Sequence, residues 1–180
     1  MDGSYGSDLG HAVTAFQKAY SLERTGVADA STQQVLATAT PLTAVSQGKE
    51  PDRVEVDLAR QIVLRFIAGQ LAYVSDTSTG NGENFTYHDQ NTGQDITRDA
   101  ITPVGRFEVL KWFPDRHDSG LGPGYDTLTF TMDGVSLHGL PDPSVPSYPA
   151  SHGCVRLPMA VAKRLFDEFQ ASLHLVVYVV

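Results

Sequence analysis

Apolar side chains recur at every second position in several stretches from residue 53 onward, which favours a fold built mainly of β-strands. Residues 53–58 (RVEVDL) alternate charged with apolar side chains, and residues 62–66 (IVLRF) place Ile62, Leu64 and Phe66 at the same spacing. Because successive side chains of a β-strand lie on opposite faces, this period of two predicts antiparallel strands. The strand pattern returns in residues 105–113 and in the closing stretch 174–180.

The clearest local signal is the Asp133-Gly134 dipeptide, which two apolar alternations flank. This dipeptide is preferred in two-residue hairpin turns, and such a turn would pair Met132 with Val135. The same register places His138 opposite Thr129, on the polar face of the hairpin. We therefore do not expect His138 to be a core histidine.

Two long polar stretches interrupt the strand pattern. Residues 78–100 are mostly polar, and residues 114–126 are rich in glycine. Both are predicted to be loops, and long loops in compact domains are usually functional or mobile.

Helical spacing appears at both ends of the chain. Apolar residues in 10–22 recur at helical intervals, and Ser31-Thr32 can cap a second short helix. Residues 41–52 carry no periodicity and are interpreted as a linker. Pro158 stands where a packed C-terminal helix can begin. The predicted fold class is mainly β with α (α+β), with a small helical segment in front.

Length and charge exclude several classes of protein. The chain has 180 residues, enough for one main domain and a small appendage. The formal net charge of −8 argues against nucleic acid or an anionic membrane surface as partner. The longest apolar run, residues 175–180, is too short to span a bilayer, so no transmembrane segment is predicted.

The only cysteine, Cys154, lies in the stretch SHGCVRL (151–157). A cysteine is a strong nucleophile only as thiolate, and a nearby imidazolium or a set of backbone N–H groups lowers its pKa. The short, proline-rich connection after the strand of His138 should return Cys154 to the end of that strand. Gly153 allows backbone N–H groups to converge on a developing oxyanion. This arrangement predicts acyl transfer.

Two other interpretations of this cysteine remain open. Free cysteine is often a buried, inert packing residue. Alternatively, His138, His152 and Cys154 could bind zinc, since imidazole and thiolate suit that ion, although no fourth ligand is evident.

Four stretches together resemble the L,D-transpeptidase catalytic domain of bacterial cell-wall synthesis, the YkuD family. They are SHGCVRL (151–157), the upstream LHGL (137–140), DTSTG (76–80) and TPVGRFEV (102–109). The resemblance covers residues 53–180 and implies a β-sandwich with one packed helix.

The resemblance assigns roles residue by residue. It implies Cys154 as nucleophile, His138 as general base, and Gly139 as the residue whose carbonyl orients the imidazole. It implies an oxyanion hole formed by the backbone of His152, Gly153 and Cys154. Substrate contacts are expected from Ser151, Arg156 and Tyr148, the last on a loop that is shorter than usual in the family.

The resemblance also implies the reaction and its location. Cys154 would attack the bond between the third stem-peptide residue and D-Ala, release D-Ala, and pass the acyl group to an amine of a second stem as a 3→3 cross-link. Carbapenem-type β-lactams would acylate the same thiol, and neither metal nor organic cofactor is implied. Such enzymes act outside the cytoplasm, although no export signal follows Met1.

Residues 1–40 resemble part of a small helical peptidoglycan-binding module, which would act through the linker 41–52. A helical cap packed on the catalytic domain is the alternative. Two other functions remain open for the whole chain: an L,D-carboxypeptidase with water as acceptor, and an inactive wall-binding or scaffolding protein.

Overall fold

The computed structural model describes residues 6–89 and 92–180. The start of the N-terminal module pattern (1–5) and two residues of the predicted loop 78–100 (90 and 91) lie outside the described residues. The described helices and strands, in chain order, are α1 (Ser7–Ala19), α2 (Ala30–Thr38), β1 (Arg53–Asp57), β2 (Ile62–Ile67), β3 (Gln70–Asp76), β4 (Asn84–Asp89), β5 (Gln94–Asp99), β6 (Gly105–Glu108), β7 (Lys111–Ser119), β8 (Gly122–Thr129), β9 (Ser136–Leu140), β10 (Val155–Pro158), α3 (Met159–Ser172) and β11 (Val176–Val179).

The strands form two packed sheets and a separate hairpin. One sheet has the order β3-β2-β1-β11-β6, the other has the order β10-β9-β8-β7, and β4 pairs only with β5. The neighbours β1 and β11, and β9 and β10, run parallel, and the remaining pairs are antiparallel. The predicted α+β class is confirmed. No helix in the described ranges is both long enough and apolar enough to cross a membrane.

The main core lies between the two sheets and α3. It joins Val54 of β1, Leu128 of β8, Leu137 of β9 and Leu157 of β10 to apolar residues of α3 such as Phe169. These side chains are almost completely buried, as the period-two and helical patterns require. The core fixes the spacing of β8, β9 and β10, which carry the residues of the SHGCVRL and LHGL stretches.

The five-stranded sheet is buried on both faces. Val63 of β2 packs in the main core, whereas its neighbours Ile62 and Leu64 pack in a second cluster with Ala19 of α1. Leu42 and other residues of the segment 41–52 cover the same cluster. The N-terminal residues therefore complete the fold, because without them this face of β2 would meet water.

The stretch predicted as a linker is irregular but fixed. The backbone N–H groups of Val45 and Ser46 both donate to Glu55 Oε2, at 2.7 and 3.1 Å. Ser46 Oγ also donates to Glu55 Oε1 at 2.7 Å. The cap of α2 differs from the prediction as well, since Asp29 accepts a hydrogen bond from Thr32 N at 2.8 Å in place of a Ser31-Thr32 cap.

The predicted two-residue turn at Asp133-Gly134 is wrong. Thr129 pairs with Ser136, and Phe130 N donates to Val135 O at 3.0 Å, so the loop comprises residues 131–134. Thr131 stabilises this wider turn, because its Oγ1 accepts a hydrogen bond from Val135 N at 2.8 Å. The register differs from the prediction by two residues, which leaves the paired side chains, including His138, on their predicted face. Met132, which was predicted to pair with Val135, is an exposed loop residue.

Both stretches predicted as loops contain strands. Residues 84–99 form the β4–β5 hairpin, whose backbone groups pair across a complete antiparallel ladder in the described residues. Residues 114–126 extend β7 and β8, with a register irregularity between Phe113 and Arg116. Polar side chains misled the prediction because these strands are exposed to solvent and have no core face to mark their period.

Candidate active site

A cleft of about 510 Å³ lies between the outer face of the four-stranded sheet and the β4–β5 hairpin. Cys154 and His138 both line it, together with Ser151, His152 and Arg156. The five residues come from two stretches, and His138 precedes the other four by 13 to 18 positions in the chain. These five predicted site residues therefore converge on one concave surface.

The parallel pairing of β9 and β10 brings the cysteine to the histidine. Arg156 is paired with His138, and Val155 with Leu137. Because side chains alternate along a strand, Val155 and Leu137 enter the core while Cys154, Arg156 and His138 face the cleft. Cys154 and His138 are thus diagonal neighbours on one sheet face, a relation that corresponds to about 7–8 Å between backbone positions and lies within reach of an imidazole.

The imidazole of His138 is oriented by the next residue. His138 Nδ1 lies 3.2 Å from Gly139 O. A carbonyl oxygen only accepts hydrogen bonds, so Nδ1 carries the proton and Nε2 keeps its lone pair. Burial lowers the pKa of His138 below its ordinary value of 6.5, against the effect of the Gly139 carbonyl. At neutral pH the residue is therefore an uncharged base.

Gly139 meets a steric requirement at the same position. A Cβ there would lie 2.9 Å from Ala162 Cβ and 3.2 Å from Met159 Sδ, both on α3. Only glycine lets α3 approach β9 this closely, so the helix fixes the backbone that holds the imidazole.

The thiol of Cys154 is not activated in the resting protein. Burial raises its pKa above the ordinary value, while a hydrogen bond from the backbone of Ser136 and the charge of Arg156 act in the opposite direction. These two neighbours thus lower the pKa of Cys154, but desolvation of the thiolate outweighs them. The resting pair is a thiol beside a neutral imidazole.

The residues before Cys154 form a closed loop. Ser151 Oγ donates to Cys154 O at 2.5 Å and accepts from Gly153 N at 3.0 Å. Gly153 has φ +126°, and a Cβ there would lie 2.9 Å from Ile101 O. No acceptor in the described ranges contacts the backbone N–H of His152 or Cys154. Both of these donors are therefore available, whereas the N–H of Gly153 is occupied.

The DTSTG stretch supports this loop from outside. Ser78 and Arg156 exchange backbone hydrogen bonds of 3.0 and 3.3 Å. Thr79 O accepts from Ser151 N at 2.9 Å. Thr102, the first residue of the TPVGRFEV stretch, accepts a hydrogen bond from Gly80 N at 2.9 Å and donates one to Gly153 O at 2.7 Å.

Tyr148 lies apart from the cleft. Its side chain is 61% exposed and does not line the cavity, and its backbone carbonyl accepts a hydrogen bond from Ser78 Oγ at 2.7 Å. The structure gives this residue a backbone contact in the loop and no side-chain contact with the other predicted site residues.

Sequence reasoning missed the opposite wall of the cleft. Phe85 of β4 packs against His152 with ring centroids 4.6 Å apart, and His117 of β7 stacks on Phe113 at 3.9 Å. The spacing of two between Phe85 and Tyr87 was the available signal, since both side chains face the cleft. Thr127 Oγ1 also lies in this lining, and in the described chain it is the buried side-chain oxygen that has no hydrogen-bond partner.

Metal binding has no support in the side-chain geometry. In residues 6–89 and 92–180, no three His, Cys, Asp or Glu side chains are grouped as ligands for a metal ion. The zinc interpretation of His138, His152 and Cys154 therefore gains no further ligand from the fold.

Comparison with known proteins gives consistent results along the chain. A family model described as the L,D-transpeptidase catalytic domain, YkuD, matches residues 51–177. A model of a peptidoglycan binding domain matches residues 1–36. Among proteins with curated functional descriptions, none is similar enough to count as a match.

Solved structures show the same relationship. An L,D-transpeptidase from Xylanimonas cellulosilytica is 34% identical, with a TM-score of 0.86 over 99% of this chain and 83% of that one. An L,D-transpeptidase from Stackebrandtia nassauensis is 19% identical, with a TM-score of 0.61 over 99% and 84%. The complex of the L,D-transpeptidase LdtMt1 with imipenem is 18% identical, with a TM-score of 0.53 over 72% and 59%. The last two support the fold alone.

The family model covers most of the chain, and the first of these structures resembles it over nearly the whole length. The chain therefore belongs to the YkuD family of L,D-transpeptidase catalytic domains.

Proposed function

We propose that this protein is a cysteine L,D-transpeptidase that forms 3→3 cross-links between peptidoglycan stem peptides. Cys154 Sγ bonds to the carbonyl carbon of the third stem residue, the bond from that carbon to the D-Ala nitrogen breaks, and D-Ala leaves. The side-chain amine of a second stem then attacks the thioester and frees the thiol. The observation that carries this proposal is the placement of Cys154 beside a neutral, oriented His138 in one cleft.

His138 supplies the proton transfers of both steps. In the first step its free Nε2 accepts the proton of the Cys154 thiol as sulfur attacks, and returns it to the leaving D-Ala nitrogen. In the second step Nε2 accepts a proton from the attacking amine and returns it to the Cys154 sulfur as the thioester bond breaks. Because burial keeps the resting thiol protonated, a general base is required at the moment of attack. The Gly139 carbonyl keeps Nε2 directed at the cleft and stabilises the imidazolium that forms.

The backbone of residues 152–154 stabilises the oxyanion of the tetrahedral intermediate. The N–H groups of His152 and Cys154 are the donors that remain unoccupied in the described structure. Gly153 contributes its conformation to this turn, while its N–H holds Ser151. Ser151 thereby fixes the loop and acts on the substrate only through it.

The remaining walls bind the stem peptides. The half-buried guanidinium of Arg156 faces the cleft and suits a substrate carboxylate. Tyr148 would contact substrate only at the rim, since its side chain is exposed. We also propose that residues 1–40 associate with peptidoglycan, that 41–52 connect them to a catalytic domain at 53–180, and that the protein acts at the wall outside the cytoplasm.

The first experiment is intact-protein mass spectrometry after incubation with imipenem, on wild type and Cys154→Ala. A single drug adduct on wild type and none on the folded variant is expected, because the strained lactam acylates the thiol of Cys154 as His138 takes up its proton. An unmodified, folded wild type would contradict the proposal and favour an inactive wall-binding protein.

A second measurement separates the two enzymatic alternatives. Incubation with a disaccharide tetrapeptide, followed by mass spectrometry of the products, gives a cross-linked dimer in transpeptidation and a tripeptide in hydrolysis. We expect the dimer. Tripeptide alone would assign the protein as an L,D-carboxypeptidase, the second candidate that uses the same Cys154 and His138.

A further inference from the structure

Lys18 of α1 is an unusual residue for a wall-binding module because it is buried in the catalytic domain. It is 1% exposed. Its Nζ donates to Gln61 O at 3.0 Å, to Thr77 O at 2.7 Å and to the carboxylate of Asp76. All three ammonium protons therefore have acceptors, and all three acceptors lie outside the N-terminal segment.

The acceptors of Lys18 lead directly to the loop of the nucleophile. Thr77, whose carbonyl binds Lys18, donates its Oγ1 to Arg156 O at 2.7 Å. The next residue, Ser78, forms the backbone pair with Arg156, two positions after Cys154. Thr77 and Ser78 are completely buried, so this link is shielded from competing water.

A second route runs through Gln61. Its carbonyl accepts from Lys18, while its side chain holds Thr79, donating to Oγ1 at 2.7 Å and accepting from N at 2.9 Å. Thr79 O in turn accepts from Ala150 N at 3.0 Å and Ser151 N at 2.9 Å. The ammonium group of Lys18 thus begins two hydrogen-bond routes. One ends at Ala150 and Ser151, before residues 152–154, and the other ends at Arg156, after them.

The N-terminal segment also contacts the connection between β9 and β10. Arg24 Nη1 donates to Ser147 O at 2.7 Å. His11 Nδ1 lies 2.8 Å from Asp76 Oδ2, and its Nε2 lies 3.6 Å from Asp142 Oδ1. These contacts are more exposed than those of Lys18, and two of them reach the connection between β9 and β10, which precedes Cys154.

We propose that the N-terminal helical segment is a positioning element of the active site, with Lys18 as its positioning residue. Lys18 fixes residues 76–80, and these fix residues 150–156, so that Cys154 and the oxyanion donors keep their geometry. The inference rests on the proposed role of Cys154. It explains why the helix packs on β3 with a buried charge, where an apolar side chain would pack as well.

The test compares Lys18→Met with Gln17→Met. Gln17 is the matched control, because it is also buried on α1 and its amide donates to Thr25, Val27 and Thr32, all within the N-terminal segment. Two quantities are measured below the thermal midpoint of each variant: the rate of Cys154 acylation by imipenem, and the hydrogen exchange of the Ala150 and Ser151 amides.

We expect Lys18→Met to slow acylation by about tenfold to a hundredfold and to speed exchange of both amides, as a small misplacement of reacting groups does. Gln17→Met should lower the thermal midpoint and leave both readouts within about twofold of wild type. Lys18→Arg should recover part of the rate, since it restores the cation.

Wild-type acylation and exchange in a folded Lys18→Met would overturn the inference and leave the proposed function intact. If Lys18→Met and Gln17→Met both slow acylation in proportion to the decrease in their thermal midpoints, the inference would also be overturned. If Lys18→Met does not fold because the buried carboxylate of Asp76 loses its lysine partner, Lys18→Met/Asp76→Asn removes both charges and must show the same slowed acylation. A wild type that imipenem does not acylate contradicts the proposed function, and amide exchange still tests the coupling.

Discussion

The two walls of the cleft are built differently. On the nucleophile side, Thr77, Ser78 and Ser151 are buried, and each of them is hydrogen-bonded to the backbone of residues 154–156. On the opposite side, Leu121 and the β4–β5 hairpin are exposed, and the hairpin bonds mainly to itself. A contact across the cleft, Arg98 Nη1 to Asp133 Oδ2, is long at 3.4 Å.

We expect the buried wall to serve the chemical step and the exposed wall to bind the substrate. Bond making and breaking require reacting atoms held within fractions of an ångström, which a buried hydrogen-bond network provides. A surface that receives two peptide stems can adjust, and exposed strands allow this. We therefore expect equivalent substitutions on the two walls to have unequal effects.

The largest difference is expected between two histidines of the cleft. His138→Ala should slow acylation by imipenem by about 10²–10⁴-fold, because it removes the general base. His117→Ala, on the opposite wall, is the control and should change the rate only slightly. Stopped-flow loss of lactam absorbance measures both, and equal rates in the two folded variants would contradict the role of His138.

Two glycines with similar positive φ angles give the next comparison. Gly153 has φ +126° and Gly122 has φ +114°, but a Cβ meets Ile101 O only at Gly153. Because an alanine is strained by the positive φ at both positions, the difference between them comes from steric overlap alone. Gly153→Ala should therefore lower the free energy of unfolding by about 1–3 kcal/mol more than Gly122→Ala. Urea unfolding measures this cost, and equal midpoints would show that the nucleophile loop yields without penalty.

Two serines offer a third matched pair. Ser151 and Ser119 each donate a hydroxyl to a carbonyl and accept a backbone N–H within their own loop. Ser151→Ala should cost about 1–3 kcal/mol, because its buried partners are left unpaired. Ser119→Ala should stay within about 0.5 kcal/mol, because water replaces the exposed hydroxyl. A larger loss of unfolding free energy at Ser119 would reverse the proposed contrast.

The smallest expected effect is a shift of the acid limb in the pH–rate profile of acylation. Burial lowers the pKa of His138 below 6.5, and only its neutral form accepts the thiol proton. The acylation rate should therefore fall with acid, with a midpoint below pH 6.5, as the imidazole becomes protonated. An acid limb in the pH–rate profile centred above that value would show that His138 is stabilised as a cation.

The sequence predicted the local parts of this site well. Cys154, His138, Ser151, His152 and Arg156 converge as expected. The face of His138 was correct even though the turn was wrong, since a shift of two residues preserves the side on which every side chain lies. The β4–β5 hairpin was missed because exposed polar strands have the composition of loops.

Strand alternation, the helices at the two ends and the order of the quoted motifs were determined by the sequence alone, because each depends on neighbours within a few positions. Tertiary structure decided the protonation of Cys154 and the use of Lys18. Both depend on which distant residues exclude water from a group: Cys154 is desolvated in the cleft, and Lys18 finds its acceptors 43 to 59 positions away. Burial of a side chain depends on how distant segments pack around it, and a sequence pattern indicates only which side chains can be buried.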